Sequence, residues 1–231
     1  MAKHLSNAQI DRLGDRLRRQ EFDEADLRTL DEYKLTFEPA YNLVVERIYR
    51  VTCLSVTGRP SKLTSSIAEK LKRESIRLSQ MQDIAGCRAV VDDMGEQDRT
   101  VEAIARAFND VTVLDRRLKP SHGYRAVHLV VREGGKTIEV QIRTALQHAW
   151  AEMCEKFAGL NDPAIKYGGG PESTRRALDV ASGVIEEVEK LEADPAQADA
   201  ARAAIAQGLR AGRNELLKAI QLLLDGPVKP G

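Results

Sequence analysis

Residues 115–155, DRRLKPSHGYRAVHLVVREGGKTIEVQIRTALQHAWAEMCE, decide the fold. Two strand-like runs, 125–132 and 136–143, flank Glu133-Gly134-Gly135. Two consecutive glycines between β-branched runs signal a hairpin, because both can take the positive φ that a two-residue turn demands. With Gly134 and Gly135 as the turn, counting outward pairs Arg132 with Thr137, Val130 with Glu139, His128 with Gln141 and Ala126 with Arg143.

Side chains on a strand alternate between the two faces of the sheet. One face gathers Val127, Leu129, Val131, Ile138, Val140 and Ile142, an apolar surface ready for helices. The other gathers Tyr124, His128, Glu139, Gln141 and Arg143. A solvated outer face is the ordinary reading of such a row. Two features argue for a site instead. The face lacks the Lys, Thr and Ser mixture of water-facing strands, and it is entered through Pro120-Ser121-His122-Gly123-Tyr124, a rigid lip carrying an aromatic ring.

A chain of 231 residues allows one medium domain with an appendage and a real core. Basic and acidic side chains balance at zero net charge, so no global field draws the protein to nucleic acid or membrane. Cys53, Cys87 and Cys154 are odd in number and form no close pair, so they read as reduced packing residues of a cytoplasmic protein. The start of the chain has no apolar leader, and no run approaches membrane-spanning length.

Apolar spacing predicts amphipathic helices over 5–19, from about Asp23, and from Pro39 through Val51; Thr57-Gly58-Arg59-Pro60 breaks the third. A helix over 65–78 places Ser66, Lys70, Arg73 and Arg77 near one line, apart from the Ile67, Leu71 and Leu78 stripe. With Arg59, Lys62 and Lys72 this segment is strongly basic, and helix N-termini beside Lys and Arg make ready phosphate sites. Asp83 precedes a buried-type strand (89–91) and is a cap or a magnesium ligand. A helix (99–108), a strand (111–114), the hairpin and a helix through Trp150 follow, which predicts an α/β (α+β) core with a mixed sheet flanked by helices. Gly168-Gly169-Gly170-Pro171 marks a boundary. Residues 1–170 then form the main domain, 171–225 a C-terminal helical pair joined around Asp194-Pro195, and 226–231 a fraying tail. The stripes Leu178, Val180, Ile185, Val188, Leu191 and Ile205, Leu209, Leu216, Ile220, Leu223 need a partner, either the core or another subunit.

The motifs Lys62-x-x-x-Ser66-x-x-x-Lys70-x-x-Arg73, Asp83-Ile-Ala-Gly-x-Arg88, Gly123-Tyr124-Arg125-x-x-His128, Glu139-x-Gln141-Ile-Arg143-Thr144 and Trp150-Ala151 occur in this order. Together they resemble the synthetase domain of the RelA/SpoT family in its short, single-domain form, the small alarmone synthetases, over about residues 40–167. The resemblance implies a nucleotidyltransferase-like fold that moves pyrophosphate from ATP to the ribose 3′-OH of GDP or GTP, giving (p)ppGpp. It implies that Arg59 and Arg88 sandwich adenine, and that Lys62, Ser66, Lys70 and Arg73 hold the ATP phosphates. Asp83 and Glu139 would bind Mg²⁺, with Glu139 also the base for the 3′-OH. Tyr124 would stack on the acceptor base, with Lys119, His122, His128, Gln141 and Arg143 around its phosphates and ribose. A homo-oligomer is implied too, since some small synthetases are tetramers.

This chain departs from the family pattern twice. Arg59 and Lys62 are separated by two residues, Pro60 and Ser61, where the family has Arg-x-Lys. The lip reads Lys119-Pro120-Ser121-His122-Gly123-Tyr124 where the family has Pro-Lys-x-Asn-Gly-Tyr, and Arg116, Arg117 and Lys119 supply the positive charge. Three readings stand: transfer to GDP or GTP, transfer to tRNA 3′-CCA or an adenine nucleotide, and a non-catalytic nucleotide-binding module. Intact Asp83 and Glu139 argue against the third, and the charge balance argues against a broad nucleic-acid surface.

Overall fold

The computed structural model describes residues 5–160, 162–193 and 200–225. The elements in order are α1 (Asn7–Arg19), α2 (Glu24–Leu35), α3 (Glu38–Thr52), β1 (Thr57–Arg59), α4 (Thr64–Arg73), β2 (Ala85–Val91), α5 (Met94–Ala107), β3 (Val111–Asp115), β4 (Val127–Glu133), β5 (Lys136–Thr144), α6 (Ala145–Leu160), α7 (Glu172–Ala193) and α8 (Ala200–Asp225). Short 3₁₀ turns lie at Leu78–Gln80 and Pro163–Tyr167. The strands form a five-stranded mixed sheet in the order β1-β2-β5-β4-β3, so the fold is α+β with helices flanking the sheet.

The chain divides into two compact units: Met1–Ala89, Glu102–Leu114 and His128–Gln141 form one; Val90–Val101, Asp115–Val127 and Ile142–Gly231 form the other. The first unit contains most of the sheet. Its hairpin turns on Gly134 (φ 56°) and Gly135 (φ 73°), the left-handed pair that the two-residue turn requires. Leu129, Val131, Ile138 and Val140 are fully buried, as the alternation predicts. His128 on the opposite face is buried as well, so that face is not a solvated exterior.

Three expectations in this unit need correction. Thr57-Gly58-Arg59 is not merely a helix breaker: it pairs antiparallel with β2, Thr57 opposite Arg88, Gly58 opposite Cys87 and Arg59 opposite Gly86. A Cβ at Gly58 would lie 2.4 Å from the Gly86 carbonyl oxygen, so glycine is what lets the two strands meet. The predicted helix over 65–78 ends at Arg73, and Arg77 lies outside it. The Arg18 guanidinium of α1 takes the Leu71 carbonyl (Nε to O 2.8 Å) and the Ile76 carbonyl, holding the chain open after the last turn. Cys53 is exposed at the left-handed C-cap of α3 (φ 57°) rather than packed, whereas Cys87 and Cys154 are buried.

The second unit is built on α6. Leu146, Trp150, Ala151, Cys154 and Ala158 of α6 bury against Ile165 and against Leu178, Ile185 and Val188 of α7, with Leu217 of α8 packed alongside. Of the α7 stripe, Leu178, Ile185 and Val188 are therefore covered within the chain, Leu191 is half-buried and Val180 is exposed. Of the α8 stripe, Ile220 is buried and Leu216 exposed; the side chains of Ile205, Leu209 and Leu223, the Asp194-Pro195 junction and residues 226–231 lie outside what is described. No helix among the described residues is long and apolar enough to cross a membrane.

Candidate active site

The hairpin carries its carboxylate beside an imidazole. Two strand positions separate the diagonal neighbours His128 and Glu139, and His128 Nδ1 stands 2.9 Å from Glu139 Oε1. Gln141 lies two residues along β5 on the same face and donates from Nε2 to Glu139 Oε2 at 2.7 Å. Burial pushes the Glu139 carboxyl up, but the His128 hydrogen bond and charge, with the Gln141 amide, outweigh it and hold the group below its ordinary value. Glu139 is thus kept ionised inside the protein. Burial, helped by the Glu139 charge, pushes the Cys87 thiol up to about 12, leaving that cysteine a neutral packing group.

Asp83 sits in the turn ahead of β2 and meets two ammonium groups, Lys62 Nζ at 2.5 Å from Oδ2 and Lys70 Nζ at 2.9 Å from Oδ1. Burial opposes its charge, and the two lysines prevail, so its pKa is lowered. The charges of Asp83 and Glu139 act on each other, the Asp83 charge raising Glu139. The sequence spacing therefore converges in space: two carboxylates, two lysines, an imidazole and an amide gather in the first unit.

Helix α4 delivers Lys70. Its N-cap is Leu63, which offers no side-chain acceptor, so nothing in the cap competes with an anion for the first-turn amides. Ser66 stands one turn before Lys70, half-buried, and Arg73 closes the helix with its Nη2 2.9 Å from Glu74 Oε1. The β1–β2 register puts Arg59 and Arg88 on one face of the ladder as diagonal neighbours, because Arg59 opposes Gly86 and Arg88 lies two residues on.

The lip belongs to the second unit. His122 (φ 51°) and Gly123 (φ 82°) form its turn, closed by the Tyr124 amide donating to the Ser121 carbonyl at 3.0 Å. Histidine, like asparagine, tolerates the left-handed region better than most residues, which accounts for His122 standing where the family pattern has Asn. Its ring packs over Gly168, where a Cβ would lie 2.2 Å from Nδ1. Tyr124 is held by Arg143: Nη2 donates to the phenol oxygen at 3.0 Å, and the guanidinium carbon lies 5.1 Å from the ring centroid. Lys119 is exposed. Arg117 is not available as a free charge, since it donates to Asp115, to Gln97 at 3.1 Å, and pairs with Asp98 at 2.7 Å.

Sequence reading missed the residues that hold the lip from below. Ser182 Oγ of α7 donates to the Gly123 carbonyl at 2.7 Å, and Glu186 pairs with Arg125. Neither carries a local signal, because each faces the lip only through tertiary packing. Helical spacing of Leu178, Ser182, Ile185, Glu186 and Glu189 on one face was the available hint.

With this geometry in place, likeness to known proteins is informative. Residues 58–158 match the model of a region found in RelA / SpoT proteins. An uncharacterized protein of Mycobacterium tuberculosis is 35% identical over 142 residues, covering 60% of this chain and 50% of that protein. A GTP pyrophosphokinase of Haemophilus influenzae is 32% identical over 108 residues, covering 43% of this chain and 14% of that protein. The chain thus spans half the length, or less, of these curated relatives. The small alarmone synthetase 1 from Bacillus subtilis, solved bound to its product pppGpp, matches with a TM-score of 0.58 at 25% identity over 72% of this chain and 96% of that one. The architecture is similar to that of this small alarmone synthetase. The likeness to the RelA / SpoT region lies within residues 58–158, less than half of the chain.

Proposed function

We propose that the protein is a pyrophosphotransferase that moves the β,γ-diphosphate of ATP to the ribose 3′-OH of GDP or GTP. The observation that carries this reading is the charge-coupled pair Asp83 and Glu139, with Lys62 and Lys70 on the first and His128 on the second. Phosphoryl transfer is chiefly positioning and charge neutralisation, and this cluster supplies both. Lys62, Ser66, Lys70 and Arg73 hold the donor phosphates, and Arg59 and Arg88 its adenine. Glu139, kept ionised, accepts the proton of the 3′-OH. The ribose oxygen bonds to the β-phosphorus, the bond to the oxygen bridging the α- and β-phosphorus breaks, and AMP leaves with that oxygen. Tyr124, braced by Arg143, receives the acceptor base, with Lys119 and His122 of the same lip for its sugar and phosphates.

Two nearby carboxylates are hard oxygen donors and too few for an all-protein cage, which suits Mg²⁺ completed by phosphate and water. No group of three or more His, Cys, Asp or Glu among the described residues competes as a metal cage. Asp83 and Glu139 would hold the ion, which neutralises phosphate charge when bound. Lys62 and Lys70 neutralise Asp83 without it and are released toward the phosphates as the donor arrives.

The likeness to small synthetases keeps a homo-oligomer as a proposal, although Leu178, Ile185 and Val188 of α7, being covered within the chain, do not call for one. The deciding experiment incubates purified protein and Mg²⁺ with labelled ATP and, separately, GDP, GTP, an adenine nucleotide and tRNA. Label in a 3′-pyrophosphorylated guanosine product supports the proposal. Label only in tRNA or an adenine product replaces the acceptor, and no transfer to any of them removes the enzyme reading.

A further inference from the structure

Helix α7 stands outside every motif that pointed to a site, yet it presents a row of polar side chains to the lip. Ser182, Glu186 and Glu189 recur at four and seven residues, on the face whose apolar members are Leu178 and Ile185. Each is engaged with a segment that carries an acceptor residue. The Ser182 hydroxyl donates to the carbonyl of Gly123, the residue before Tyr124, at 2.7 Å. The same oxygen receives Arg125 Nε at 3.3 Å, the residue after Tyr124. Glu186 takes Arg125 Nη2, and Arg125 Nη1 ties the start of the lip through the Arg117 carbonyl at 3.0 Å. Glu189 accepts from Thr144, the residue after Arg143, and from Gln147 Nε2 at 3.1 Å to each oxygen.

Burial sets the value of these contacts. Ser182 and Glu189 are each 4% exposed, so a lost partner would leave a polar group inside the protein rather than in water. Space is as tight as the hydrogen bonding. A Cβ at Gly123 would come within 2.8 Å of the Trp150 ring and 3.1 Å of the Ser182 Cβ, so the lip is wedged between α6 and α7. Trp150 is itself fixed to α7 by its Nε1 donating to the Leu178 carbonyl at 3.0 Å.

We propose that α7 is a positioning element for the acceptor, with Ser182 and Glu186 setting the backbone on either side of Tyr124 and Glu189 setting the strand end that carries Arg143. This rests on the acceptor role given above to Tyr124 and Arg143. None of the three residues touches a reacting atom; they act through the lip. The consequence is selective, because the ion pairs of Lys62, Lys70 and Asp83 involve no residue of α7.

The test uses the full chain with Ser182→Ala, Glu186→Ala and the milder Glu186→Gln, which retains an acceptor on a partly exposed rim. Amide hydrogen exchange over 121–126 reads the lip without any ligand. Steady-state kinetics with GDP and ATP reads its use. The expected result is loss of protection at 121–126 and a KM for GDP raised about tenfold by Ser182→Ala and Glu186→Ala, less by Glu186→Gln, with the KM for ATP within about twofold. Unchanged exchange and unchanged KM for GDP in folded Glu186→Ala would overturn the proposal, as would an equal rise for both substrates. Should Ser182→Ala fail to fold, the two Glu186 variants decide. Should wild-type protein transfer nothing to GDP, the function reading fails, and hydrogen exchange alone decides whether α7 sets the lip.

Discussion

His128 Nδ1 lies 2.9 Å from Glu139 Oε1 across the hairpin, and this contact joins a half-buried carboxylate to the one histidine that the turn register places on its face. Burial by itself would push Glu139 toward its neutral form; the His128 and Gln141 contacts reverse that. A base held ionised is what proton removal from a hydroxyl needs. Replacing His128 by Ala removes the larger of the opposing contributions, so the Glu139 pKa rises. The acid limb of the pH–rate profile should then move to higher pH while the alkaline limb stays. An unmoved acid limb would detach His128 from Glu139's ionisation.

Glu139→Gln keeps the shape and the Gln141 side of the network while removing the charge. Turnover should fall by about 10²–10⁴-fold, with ATP binding retained, because the proposed base and one proposed metal ligand go together. Single-turnover kinetics alongside titration with a non-hydrolysable ATP analogue separates the two effects. Near-normal turnover would remove Glu139 from the chemistry.

Lys62 and Lys70 both engage Asp83, and both would have to pass to the donor phosphates. Lys70→Ala should raise the KM for ATP roughly ten- to a hundredfold, since a charge-assisted contact contributes about 1.5–3 kcal/mol. It also acts on stability. The folded-state pKa of Asp83 is depressed, so its contribution is present above the unfolded value and is lost as pH falls through the folded one. With one lysine gone the depression shrinks, and acid unfolding followed by circular dichroism should begin at higher pH than in the wild type.

The hairpin, its apolar face and the site row were legible in the sequence because period-two alternation and Gly134-Gly135 are local signals that tertiary structure did not override. Strand β1 was not, since three residues reading Thr-Gly-Arg carry turn chemistry and become a strand only through pairing with β2. The end of α4 was missed for a similar reason: residues 74–77 carry no breaker, and Arg18, more than fifty positions away, closes the helix by taking the Leu71 and Ile76 carbonyls. Arg117 read as available charge because Asp98 and Gln97 come to it through the fold. Ser182, Glu186 and Glu189 carry no local signal for the same reason.

Gly86 faces Glu139 across the β2–β5 neighbourhood. A Cβ there would come within 2.8 Å of the Glu139 carbonyl oxygen and 3.5 Å of its Cβ, too close for the strands to keep their spacing. Gly86→Ala should therefore cost about 1–3 kcal/mol of stability and lower kcat beyond what the melting shift explains, because the displaced strand is the one bearing the base. Thermal melts paired with kcat at a temperature well below the transition test this. Full activity in a destabilised variant would show that the close approach serves packing alone.

Tyr124 offers two separable things, a ring and a hydroxyl, and Arg143 engages both: Nη2 donates to the hydroxyl at 3.0 Å and the guanidinium lies 5.1 Å from the ring centroid. Base stacking on an aromatic ring contributes about 1–3 kcal/mol and tolerates any base, so the ring governs how tightly an acceptor binds rather than which one. Tyr124→Ala should raise the KM for the acceptor by roughly five- to a hundredfold and leave that for ATP nearly unchanged. Tyr124→Phe keeps the stacking surface but leaves the Arg143 donor without the phenol oxygen, on a side chain that is 7% exposed. Its effect should be smaller, about 0.5–1.5 kcal/mol, and should appear partly as lost stability. The order Ala worse than Phe, both confined to the acceptor, identifies the lip as the acceptor platform. Equal effects on ATP and acceptor, or a Phe variant as impaired as Ala, would mean that Tyr124 serves mainly to hold Arg143 in place.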